Sequence, residues 1–100
     1  MFRKRQSDKA LELPPIAADA DAVEVLRAWA VPDEPQQVTL RTTWKDPAVW
    51  GFMLVDLANH AANAYANEGH DRASALARIY EAFDAVRSDP TDKAEDITPR

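Results

Sequence analysis

The chain has 100 residues, no cysteine and a formal net charge of −5. That length allows one domain with a modest core, and the missing cysteines exclude disulfides, thiolate nucleophiles and zinc–thiolate sites. Charge is unevenly spread: Arg3, Lys4, Arg5 and Lys9 against Asp8 give the first ten residues +3, so the other ninety carry −8. A body that acidic argues against nucleic-acid binding. No apolar run approaches the roughly 18–20 residues that span a bilayer. Residues 6–10, QSDKA, break any secretory apolar segment. These features predict a cytoplasmic protein with no membrane and no nucleic acid among its partners.

Residues 1–9, MFRKRQSDK, read as a disordered basic arm. A single α+β domain is expected over residues 10–88. Residues 10–13, ALEL, alternate as an extra N-terminal edge strand would, and Pro14 and Pro15 end it. Residues 16–21 carry no firm signal and fit a loop or one helical turn.

Residues 22–31, AVEVLRAWAV, fit two readings. As a helix, Ala22, Val25, Leu26, Trp29 and Ala30 line up. As a strand, Val23, Val25, Arg27, Trp29 and Val31 share one face. The short length and the valines favour the strand. Residues 37–43, QVTLRTT, alternate more cleanly and form the second strand. The PDEP segment between them makes a hairpin natural, with its register open. Val31 opposite Val38 collects Val25, Trp29, Val31, Val38 and Leu40 on one face. Val31 opposite Gln37 collects Leu26, Ala28, Ala30, Val38 and Leu40 instead, and sets Arg27 beside Arg41, which like-charge repulsion disfavours.

The element around which the chain is organised starts at Asp46. Asp46 is a natural N-cap and Pro47 suits the first helical position, while Gly69 suits a left-handed stop. Between them Trp50, Met53, Leu54, Leu57, Ala61, Ala64 and Tyr65 form one apolar stripe, and Phe52, Val55, Ala62 and Ala66 a second. A helix so widely apolar is expected to be covered on more than one side. Gly51 in its first turn suggests a close backbone contact. Asp71 then caps a second helix over residues 72–88, with Leu76, Ile79, Tyr80, Phe83 and Val86 at helical spacing. The short link makes the two helices an antiparallel hairpin. Residues 89–100 read as a disordered acidic tail. The order is β-β-α-α.

The segments EVLRAW (24–29), QVTLR (37–41), DPAVWGFMLVDLANHAANAYA (46–66) and ALARIYEAFD (75–84) resemble a family of short alphaproteobacterial proteins known only as a domain of unknown function. The resemblance covers roughly residues 10–90, and the D-P-x-x-W-G start of the central helix is its most distinctive piece. It implies a bacterial, stand-alone domain and brings no activity or site residues.

Candidate chemistry is sparse. Asp56 and His60 stand four apart on one helix face, but a metal needs three or four ligands and the neighbours are Asn59 and Asn63. No metal and no cofactor is expected; the same pair offers His60 as a proton relay, which leaves an enzyme open, but with no catalytic constellation a non-enzyme is the favoured reading. Arg27 and Arg41 in adjacent strands suggest a small-anion site, with Trp29 or Trp44 as a stacking wall; pairing of each arginine with a nearby carboxylate such as Glu24 is the plainer reading. Two helices cannot shelter all the apolar side chains of the hairpin. That surplus predicts a self-associating module, a homodimer with Val25, Trp29 and Val31 at its interface. Copies would pair hairpin edges or stack sheet faces; no other protein partner can be named from the residues.

Overall fold

The computed structural model describes residues 9–88. The expected basic arm, but for Lys9, and the acidic tail lie outside the described residues. The described residues fall into two compact units that follow one another, divided between Lys45 and Asp46. The order is β-β-α-α, an antiparallel two-stranded hairpin and then two helices.

In the first unit, residues 10–13 form no strand. The two prolines end the alternation before a ladder partner is available, and a short 3-10 helix, Pro15–Ala18, follows with Pro15 at its start. Strand β1 is Leu26–Trp29 and strand β2 is Gln37–Leu40, so the helical reading of residues 22–31 is overturned. The pairing is Leu26 with Leu40, Arg27 with Thr39, Ala28 with Val38 and Trp29 with Gln37. This is neither expected register. Leu26 and Ala28 do share a face with Val38 and Leu40, as in the second. The offset, however, sets Arg27 against Thr39 and relieves the charge clash. Val25, Trp29 and Val31 therefore do not share a face with Val38 and Leu40.

The connection explains the register. The Glu34 N–H donates to the Val31 carbonyl at 2.9 Å, and Asp33 has φ 75°. Proline second and positive φ third is the type II pattern. Pro35 has no N–H to give a ladder, and pairing begins only at Gln37. At the other end of β2 the Trp44 N–H donates to the Thr42 carbonyl at 2.6 Å across Thr43, whose φ is 67°. That is a γ-turn around a β-branched residue, a strained conformation, and it lies just before the second unit.

Helix α1 is Ala48–Asn67 and helix α2 is Arg72–Arg87. Pro47 already has helical angles, and the Asp46 carboxylate accepts the Ala48 N–H at 3.0 Å, so Asp46 caps the helix as its sequence suggests. Gly69, at φ 102°, ends α1. The His70 N–H donates to Tyr65 O and the Gly69 N–H to Ala66 O, both at 3.0 Å, which is the Schellman arrangement. Its usual apolar contact is the edge of one ring against the other, Tyr65 and His70 at 5.2 Å between centroids. Four residues then turn the chain into α2, antiparallel to α1.

Asp71 caps α2, accepting from both the Ser74 hydroxyl (2.8 Å) and the Ser74 N–H (2.9 Å). These bonds, the hydroxyl's first, hold the Asp71 carboxyl below its ordinary pKa. A lowered folded-state pKa stabilises above the unfolded value of about 3.9 and is lost as pH falls through the folded value. The stability gap between the natural protein and an Asp71→Asn variant, followed by circular dichroism, should therefore be constant above about pH 5 and shrink below it. A constant gap down to the acid limit would show that the cap charge contributes nothing.

Two expectations for α1 fail. A Cβ placed on Gly51 meets none of the described residues within 4 Å, so no close backbone contact requires that glycine. Nor is the helix covered all round. Among the described residues only Ala58 and Ala62 are buried, Trp50 is half-buried, and Phe52 is 70% exposed.

Candidate functional site

Both arginines of the expected anion site converge on Glu24. The Arg27 guanidinium holds the Glu24 carboxylate through Nη2 at 2.8 Å and Nε at 3.3 Å. Arg41 donates from Nε to the Glu24 carbonyl at 3.0 Å, and its N–H extends the ladder to the Val25 carbonyl. Arg27 thus pairs with the Glu24 carboxylate, whereas Arg41 bonds only its backbone carbonyl. Trp29 lies beside a hollow of about 130 Å³ whose only charged member is Glu34. That space is too small for a metabolite, and its charge has the wrong sign for an anion. Trp44 and Val31 are both exposed. Neither Arg27 nor Arg41 lines the hollow beside Trp29 or the one of about 360 Å³ beside Glu24.

The polar wedge of α1 has a different use. Arg72, the first residue of α2, donates from Nε to Asn63 Oδ1 at 2.6 Å and from Nη2 to Asn59 Oδ1 at 2.8 Å, and Asn59 in turn donates to the Val55 carbonyl. One guanidinium thus ties the start of α2 to two successive turns of α1. His60 is exposed beside this ladder. No group of three or more metal-ligating side chains occurs among the described residues.

The largest concavity described within the second unit lies between the helices. It is an open groove of about 580 Å³ lined by Leu54, Val55, Leu57, Ala58, Ala61 and Tyr65 from α1 and by Ile79, Tyr80, Phe83 and Asp84 from α2. The helices close on each other through the alanine side, where Ala62 is wholly buried and Ala58 nearly so. The stripe that looked like core in the sequence, Leu54-Leu57-Ala61-Tyr65, is the wall of this groove. Its large side chains are between one third and one half exposed. Helical spacing identifies such a stripe but not what lies against it; the excess of large apolar residues over what two helices can mutually cover was the signal for the groove. Asp84 is the groove's one charged residue, and Arg87 bonds it at 3.0 Å. No helix among the described residues is long and apolar enough to cross a membrane.

Relatives of the chain are bacterial proteins. A solved chain from the photosynthetic bacterium Rhodopseudomonas palustrus CGA009, provisionally named a pyruvate dehydrogenase, is 39% identical, with a TM-score of 0.69 over 98% of each chain. The UPF0167 proteins Mb2317 of Mycobacterium bovis and MT2352 of Mycobacterium tuberculosis are each 32% identical over 88 residues, 81% of this chain and 47% of theirs. The chain thus spans about half the length of the curated relatives it matches. Residues 10–91 match the model of a domain of unknown function, DUF5076, in keeping with the resemblance seen in the helix and strand segments, and the chain belongs to that family.

Proposed function

We propose that this domain is a non-enzymatic interaction module of the bacterial cytoplasm that associates with a second copy of itself. One observation carries the reading: large apolar side chains stand open on both units while the only buried residues described are two alanines. Apolar surface on that scale marks a place where something binds, and burying it is worth about 25 cal/mol per Å². Solution mass tests the reading directly. Light scattering at micromolar concentration should give twice the 11.1 kDa chain mass, and the melting temperature should rise with protein concentration. A monomer at every concentration would remove the proposal.

An anion site at Arg27 and Arg41 has less support, because Glu24 engages both side chains. The activity named for the Rhodopseudomonas chain is not carried over.

A further inference from the structure

We infer that the groove between α1 and α2 is the self-association surface, and that a second copy's helix pair fills it across a two-fold axis to make a four-helix assembly. The inference rests on the self-association proposed above and adds where it happens.

Spacing supplies the first argument. Leu54, Leu57, Ala61 and Ala64 on α1, and Leu76, Ile79, Phe83 and Val86 on α2, each repeat at alternating intervals of three and four. That is the pattern of a helix whose seam faces other helices in a bundle. Here α1 and α2 meet through Ala58 and Ala62, one step off the α1 seam, and leave much of both seams along the open groove. The pair therefore looks like half of a bundle.

Shape and charge favour a second copy. Both walls carry bulk, Leu54, Leu57 and Tyr65 from α1 and Ile79, Tyr80 and Phe83 from α2, on either side of an alanine floor, Ala58 and Ala61. A two-fold axis across the groove brings the same large side chains of each copy toward the alanine floor of the other, an isologous contact. Asp84 is the one charged residue lining the groove and Arg87 stands beside it at 3.0 Å, so two copies meet there without net repulsion. Area is sufficient. With Tyr65, Tyr80 and Phe83 at roughly 150–250 Å² each and somewhat under half exposed, and Leu54, Val55 and Leu57 similarly open beside them, the face offers on the order of 500 Å² per copy, and the pair reaches the ~1,000 Å² of a specific interface.

Because the natural chain has no cysteine, single-cysteine variants give a clean readout in the full-length protein. Ala61→Cys lies mid-groove, and Val38→Cys lies on the hairpin as the rival surface. A short bis-maleimide should convert most of the Ala61→Cys variant to a covalent dimer and leave the Val38→Cys variant monomeric on a denaturing gel. Phe83→Asp should halve the mass seen by light scattering. If the natural protein is a dimer but only the Val38→Cys variant cross-links, self-association stands and the groove assignment falls. A dimer in which neither variant cross-links, with Phe83→Asp folded and still dimeric, also overturns the groove. If the natural protein is a monomer, both readings fall. Should Phe83→Asp fail to fold, the cross-linking comparison decides alone.

Discussion

Ala62→Leu should destabilise the protein by about 1–3 kcal/mol, the usual penalty for forcing extra methylenes into a filled interior. Ala62 is the one wholly buried residue described, and it sits where α1 and α2 close. Its neighbours on α1 mark the crossing: Asn59 and Asn63 reach Arg72, and Ala58 and Ala61 look toward Ile79 and Phe83. Helix axes stand 8–10 Å apart according to the side chains at the contact. Three added carbon atoms would push them outward and stretch the 2.6 Å and 2.8 Å bonds from Arg72. Ala64→Leu, at an exposed position of the same helix, should change stability by less than about 0.5 kcal/mol. Urea unfolding of both variants measures the contrast. Equal midpoints would mean that the alanine contact does not set the helix separation.

The second large effect comes from making one substitution at both glycines. Gly69→Ala should cost about 1–2 kcal/mol, because an L side chain strains a backbone held at positive φ. Gly51→Ala should stabilise by about 1 kcal/mol, since Gly51 lies inside α1 where alanine is the better helix former. Outside the adjoining backbone an added Cβ meets none of the described residues within 4 Å at either position, so neither effect includes a clash with packed neighbours. The opposite signs isolate the backbone term. Thermal melts of the two variants should move in opposite directions; a loss at Gly51 would instead reveal a neighbour packed against the first turn.

Much of this fold is legible in its punctuation. Asp46-Pro47, Gly69 and Asp71 each do in space what their residue type predicts, because caps and stops depend on local hydrogen bonds. Register is not local in that sense. It depends on Asp33 accepting a positive φ, which aspartate signals only weakly, and on Pro35 withholding an N–H. Apolar residues at both parities of β1 then left no preferred face. The groove was hidden for a third reason. Periodicity shows that Leu54, Leu57 and Phe83 are apolar on one side, but not whether the chain supplies the cover. Arg72 went unnoticed because a single arginine at a helix start has no motif; its role depends on two asparagines one turn apart on the other helix.

Both pairings in the structure join elements that follow directly in sequence: β1 with β2 across residues 30–36, and α1 with α2 across residues 68–71. Such short closures carry little entropic cost, and chains dominated by them acquire their structure in microseconds to milliseconds. The proposed association of two copies would be bimolecular and slower. A refolding trace should accordingly show a rapid phase indifferent to dilution, followed by one whose rate tracks how much protein is in the cuvette.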